Sequence, residues 1–238
     1  MTEPSRPSRV ESDVFRSVTL QRAERGPAAT LVRLITDRSF ALRAMRYALR
    51  LPTPLRTEDR RVLEQIIFPY YASRPDVHTV LFVGCQWYTS HYNRKHFPAH
   101  EYWTIEPDAE ARRFGARRHV VAPLEQLDAH FPENFFDLII CNGVYGFGLD
   151  APEHCETALA HCYSRLRPGG TLVFGWTDVP ARTPVPLESI SSLQRFAKAG
   201  SSPLGGWRYV TNTPYAHTYD FYTRPAKDTS ERDIDSRS

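Results

Sequence analysis

The sequence predicts an α/β protein with a doubly wound, mostly parallel seven-stranded sheet, an antiparallel last strand and an N-terminal helical extension. Three observations predict it. From residue 77 onward, apolar runs of strand length alternate with segments of helical pattern, the order that winds helices over both faces of a parallel sheet. The runs Val80-Leu81-Phe82-Val83, Leu138-Ile139-Ile140-Cys141 and Leu172-Val173-Phe174 are apolar throughout, as strands covered on both faces must be. Near the end, two β-rich runs at 207–211 and 218–222 are joined by a link too short for a parallel crossover, so they pair antiparallel.

The elements follow in order. Residues 1–12 are polar and proline-rich, hence a disordered tail. Residues 13–75 form the helical extension. In it, Leu31, Leu34, Ile35, Leu42, Met45 and Leu49 have amphipathic spacing, and Arg43, Arg46 and Arg50 share a solvated face. Pro52 and Pro54 break that pattern. Thr57 is a candidate N-cap with Glu58 and Asp59 in the first turn. Val62, Leu63, Ile66, Ile67 and Tyr70 form the next buried stripe, stretched or kinked at Pro69.

Residues 76–224 form the main domain. Strands are expected at 79–84, 102–106, 119–122, 136–141 and 171–176. Helices are expected at 88–97, 108–115, 124–131 and 151–166, the last with Pro152 in its first turn. Pro168-Gly169-Gly170 is a sharp turn, and a helical patch at 187–196 lies in a proline-rich stretch. Residues 225–238 read as a second disordered tail.

With 41% hydrophobic residues, the 238-residue chain can build one full α/β core plus a small extension. No apolar run approaches the ~20 residues of a membrane span, and the N-terminus lacks the apolar core of a signal peptide, so a cytoplasmic protein is expected. A net charge of +3 is too mild for a dedicated nucleic-acid binder. Cys85, Cys141, Cys155 and Cys162 are few and spread, and read as reduced thiols. His154-Cys155 and His161-Cys162 imitate a metal site. On a helix, however, the two pairs stand ~10.5 Å apart, while zinc needs ligands within ~2.3 Å of one ion. No metal is expected.

The chemistry starts at Gly84. One apolar run stops at this glycine, and the next stops at Glu106, about 20 residues later. In a βαβ unit that spacing sets a tight backbone turn beside a carboxylate able to accept both hydroxyls of a ribose.

Over about 77–224 the chain resembles the class I S-adenosylmethionine-dependent methyltransferases, which have a Rossmann-like fold. Val80-Leu81-Phe82-Val83-Gly84-Cys85 is similar to the family's first motif, and Glu106 stands where its ribose-binding acid ends strand two. Phe136-Asp137-Leu138-Ile139-Ile140-Cys141-Asn142 and Leu166-Arg167-Pro168-Gly169-Gly170-Thr171-Leu172 look like its strand four and entry to strand five. The resemblance implies S-adenosyl-L-methionine as cofactor. Gly84, Cys85 and Gln86 would approach its methionine portion, and Glu106 would hold the ribose. Leu124 and Glu125 would edge the adenine, and Asn142 and Gly143 would line the sulfonium end. Two positions depart from the pattern. Gly84 is the only glycine in a first loop that continues with Trp87 and Tyr88, and Pro123 stands where many members carry an acid for the adenine amino group.

Methyl transfer from a sulfonium is an in-line displacement, so the protein's task is to align the nucleophile and, where needed, take its proton. Tyr145, His217 and Asp178 are the catalytic candidates, with Phe147, Trp176 and Tyr215 nearby in the same loops. Tyr145-Gly146-Phe147-Gly148 reads as a flexible loop able to close over a flat acceptor. The chain lacks the Asn/Asp-Pro-Pro-aromatic motif of base methylation after strand four, so the expected partner is a small-molecule methyl acceptor and no nucleic acid. The alternatives are a catalytically weak binding or interaction protein on the same fold, and an NAD(P)-dependent oxidoreductase. The N-terminal helices could cap the pocket or form a homodimer.

Overall fold

Alternate side chains of a strand point to opposite faces, so a strand apolar at every position needs a layer on each side. The computed structural model describes residues 55–226 and, before them, Leu42 and Met45, both helical and exposed. The tails, the rest of the early amphipathic segment and its arginine face lie outside the described residues. Among the described residues no helix is long and apolar enough to cross a membrane.

The strands are β1 (Thr79–Val83), β2 (Glu101–Ile105), β3 (Arg118–Val120), β4 (Phe136–Asn142), β5 (Leu166–Thr177), β6 (Ala197–Lys198), β7 (Arg208–Val210) and β8 (His217–Thr223). They form one sheet in the order β3-β2-β1-β4-β5-β8-β6, with β7 also paired to β8. β1 to β5 are parallel, and β8 runs antiparallel to β5. β6 and β7 occupy the same edge of β8, each antiparallel to it. The eight segments therefore fill seven strand positions, the last an edge strand split in two. The expected turn at Pro168-Gly169-Gly170 falls inside the long β5, with Gly169 at φ +80°.

Two apolar layers cover the sheet. On one face Leu81, Ile139, Cys141, Leu172 and Phe174 pack under the helix Pro152–Arg165. On the other, Val80, Phe82, Leu138, Ile140, Val173 and Phe221 pack under the first helix. That first helix, α1, is built of an α segment Glu58–Val62, a π turn Leu63–Ile67 and an α segment Phe68–Ala72. Pro69 has no N–H to donate back into the ladder, and the wide turn lies just before it. The π turn adds one residue to the helical repeat. The buried stripe accordingly passes from Val62 and Leu63 to Ile67, Phe68 and Tyr71, leaving Ile66 exposed where the uniform period expected it inside. Because α1 packs on the sheet, the compact unit begins at Pro54, ahead of the boundary that the pattern drew at 75/76.

The other helices are α2 (Tyr92–His96), α3 (Pro152–Arg165) and α4 (Ser191–Gln194). The helices expected after β2 and β3 are short 3-10 turns, Ala109–Phe114 and Leu124–Ala129. In the first, the Asp108 side chain accepts from the Glu110 amide and the turn stops at Gly115; in the second, Gln126 leaves helical geometry. The strand order reverses at β1 and β4, and the crevice beyond their carboxyl ends is where ligands bind in open parallel sheets.

Candidate active site

Gly84 turns the chain off β1 at φ +85°, a conformation natural to glycine. A Cβ there would stand 3.0 Å from Cγ1 of Val144, in the loop after β4. The lips of the crevice thus touch at their bases. Glu106, just past β2, braces the first lip. Its Oε2 accepts from the Cys85 amide at 2.9 Å and its Oε1 from the Asp108 amide at 3.0 Å. Gln86 and Thr89 close the next turn reciprocally at 3.0 and 2.9 Å. Trp87 and Tyr88 meet edge to face beyond it. Burial, with the Glu106 charge adding to it, pushes the Cys85 thiol up to about 12. Burial likewise lifts Cys141 well above the thiol range, so neither is a nucleophile.

The far end of the crevice differs from its expected form. Leu124 is buried, and Pro123 precedes its 3-10 turn. Glu125 is engaged by His154 of α3, Oε1 to Nδ1 at 3.3 Å. Its carboxylate is tied to the neighbouring helix rather than left free at the rim. His161 similarly pairs with Asp128, while Cys155 and Cys162 face the core, so the two His-Cys pairs share no site.

At the second lip two expected residues, Asn142 and His217, meet two that the sequence reading did not assign to the site, Asp59 and Arg60. Asn142 ends β4 and lays its Oδ1 over Gly175, where a Cβ would be only 1.9 Å away. The same oxygen lies 3.0 Å from Nε2 of His217 at the start of β8. Asp59 and Arg60, from the first turn of α1, complete the group. Both are buried, with Arg60 Nε 3.5 Å from Asp59 Oδ2. Tyr215 Oη donates to Asp59 Oδ1 at 2.9 Å, and Tyr219 Oη to the Asp59 carbonyl at 2.8 Å. The Arg60 guanidinium lies 4.8 Å above the Tyr88 ring. One signal for Asp59 was available: it sits three and four residues before Val62 and Leu63, on the apolar face. A charge on that face needs a partner. Here the partners come from β8, far away in the chain.

Burial pushes His217 down to about 4; the Asp59 charge opposes this and the Arg60 charge assists it. The imidazole is neutral at pH 7. Burial alone would raise the Asp59 carboxyl, but Arg60, His217 and the hydroxyls around it hold it below its ordinary range.

The other two catalytic candidates lie elsewhere. Tyr145 is fully buried against Phe174 and Trp176, and its hydroxyl donates to the Val185 carbonyl while accepting from the Val185 amide at 3.4 Å. It anchors a segment rather than facing the crevice. Asp178 is exposed just beyond β5. The loop read as flexible is pinned: a Cβ on Gly146 would meet the Arg182 carbonyl at 2.0 Å, and the Arg182 guanidinium covers the Phe147 ring at 4.3 Å.

A second buried polar group joins α1 to α2. Glu64 lies 3.5 Å from His91 and 3.8 Å from His96, a set whose ligand atoms fall within 4.8 Å of one another although no metal ligand was expected. Lys95 Nζ stands 3.2 Å from the same carboxylate oxygen and supplies a counter-charge. Burial acts to raise the Glu64 carboxyl, but His91, His96 and Lys95 gathered around it outweigh that and hold it far below the usual range.

Residues 81–174 match a family described as a methyltransferase domain. Among solved structures, the N-methyltransferase NodS from Bradyrhizobium japonicum WM9 in complex with S-adenosyl-L-homocysteine is similar at 17% identity and a TM-score of 0.51, over 89% of this chain and 98% of that one. TrmN from Thermus thermophilus is similar at 19% identity and a TM-score of 0.51, over 78% of this chain and 53% of that one. At these identities the likeness is one of fold. A search of curated proteins found no match.

Proposed function

We propose that this chain, in which residues 81–174 match a methyltransferase domain, is a class I S-adenosylmethionine-dependent methyltransferase that binds S-adenosyl-L-methionine and methylates a small-molecule acceptor. The observation that carries the reading is Glu106, held by the Cys85 amide beside a positive-φ glycine. Each of its oxygens accepts one backbone N–H and keeps a further lone pair, so it can still accept the two hydroxyls of a ribose. The residues present fit the cofactor: the backbone at Gly84 to Gln86 would meet its amino-acid end, and Asn142 and Gly143 would line the sulfonium. Bound there, it supplies an electrophilic methyl group.

The protein's own contribution is alignment and proton handling. Asn142 and His217 orient each other at 3.0 Å, with the Nε2 proton donated to the amide oxygen and the lone pair on the other ring nitrogen. An imidazole with its pKa near 4 is a weak base. It suits an acceptor that is already ionised, or one that loses its proton after the methyl has moved.

Calorimetry with S-adenosylhomocysteine tests the reading. Two ribose hydroxyls on a charged acceptor contribute about 1.5–3 kcal/mol each, so Glu106→Ala should weaken binding on the order of 10²- to 10⁴-fold. No binding by the native chain at millimolar ligand would refute the proposal, and saturable NADPH binding in its place would favour the oxidoreductase.

A further inference from the structure

Arg60 is 8% exposed, and its Nη1 has no hydrogen-bond partner among the described residues. Asn142 is 5% exposed, and its Nδ2 has none either. Both belong to one wall. Nη2 of Arg60 lies 3.8 Å from where a Cβ on Gly143 would stand, and Gly143 directly follows Asn142. A guanidinium removed from water is costly unless its N–H groups meet acceptors. Its ion-pair partner among the described residues, Asp59, reaches only Nε, at 3.5 Å, and also accepts from Tyr215. Two buried donors thus stand open at the methyl-transfer edge, one charged and one neutral, and no described acceptor satisfies them.

The surroundings select the ligand. The Tyr88 ring lies 4.8 Å from the guanidinium carbon, and the glycine at 143 lets a ligand approach without a side chain in between. A cationic group set directly against the guanidinium would be repelled by it, and an anionic one attracted. A planar carboxylate matches the fork of a guanidinium, with the amide N–H as a third donor.

We infer that Arg60 and Asn142 form a carboxylate seat at the end of β4. The seat rests on the methyltransferase reading for its purpose but not for its chemistry. The carboxylate has two sources: the amino-acid end of the cofactor, or an acidic methyl acceptor. In either case Arg60 is a binding residue supplied by α1, outside the segment 81–174 that carries the family match.

The test compares the full-length native chain with Arg60→Gln and Asn142→Ser, each checked for native melting. One arm measures affinity for S-adenosylhomocysteine and for 5′-methylthioadenosine, which lacks the amino-acid end. If the cofactor's carboxylate is the ligand, the native chain prefers S-adenosylhomocysteine. Arg60→Gln then loses that preference by about 10- to 100-fold while methylthioadenosine binds as before. The other arm titrates benzoate, with and without S-adenosylhomocysteine. If the acceptor's carboxylate is the ligand, benzoate binds the native chain, Arg60→Gln abolishes this, and nucleoside affinities stay unchanged. Should the native chain bind neither nucleoside, the parent reading fails, and benzoate alone decides the seat. Should Arg60→Gln not fold, Asn142→Ser takes its place with a smaller expected loss. Native values in both arms for a folded variant overturn the seat.

Discussion

Gly84→Ala probes the point where the two lips of the crevice meet. At φ +85° an L-residue pays about 1–2 kcal/mol. The added methyl would also stand 3.0 Å from Cγ1 of Val144, tighter than ordinary contact, so one loop must give. Together these predict a loss of roughly 1.5–3 kcal/mol, or about 3–12 °C in melting temperature for a domain of this size. The two contributions can be separated. Val144→Ala removes the offending carbon, so the double variant should keep only the dihedral cost. The cycle should then show a favourable coupling of about 0.5–1 kcal/mol. Urea unfolding followed by circular dichroism, on the native chain, both single variants and the double, measures it. A coupling indistinguishable from zero would mean that the lips do not touch. An unchanged stability for Gly84→Ala would mean that the turn is not left-handed.

Two more outcomes follow from the buried polar groups. Tyr145→Phe should cost about 1 kcal/mol of stability, from the lost bonds to Val185, yet leave the proposed methyl transfer nearly intact; a large fall in kcat at native stability would restore Tyr145 as a catalytic group. The pH dependence follows from His217. Its folded pKa of about 4 lies below the ordinary imidazole value near 6.5, so between these the unfolded chain binds the extra proton. Stability should therefore be full above pH 6.5 and fall by up to about 3 kcal/mol as pH drops toward 4. The depressed carboxyls of Glu64 and Asp59 begin to add their loss around their ordinary values of 4.5 and 3.8 and continue below them. Urea midpoints across pH 4–7 should show the slope, and His217→Gln should flatten it.

What the sequence made legible was what local pattern encodes. β1, β4 and β5 announced themselves because every residue is apolar and both faces are covered. Gly84 and Glu106 were readable because the turn and the acid each end a run. The buried polar wall was not. Asp59 meets Tyr215 and Tyr219 across more than 150 positions, and no periodicity carries such a pairing. The π turn was equally hidden: Pro69 flagged a disturbance, but whether the chain kinks or widens is decided by packing on the sheet. Tyr145 misled for the opposite reason. An aromatic between glycines after β4 looks poised for substrate, whereas its neighbours in space, Phe174 and Trp176, draw it into the core.

The split edge strand has a consequence for self-association. A sheet grows by lending its unpaired edge to another chain, and a long flat edge does so readily. Here β6 contributes two residues and β7 three, at the same border. Between them the chain departs from the sheet, and Trp207 is covered by Lys198 at 4.0 Å and Arg208 at 4.4 Å. At the opposite border β3 is three residues long, with Arg118 at its start. Among the described residues, neither border offers a run long enough for a neighbour to zip onto. Two copies of this chain, wherever they meet, should do so through helices or loops, with the sheet of each remaining its own.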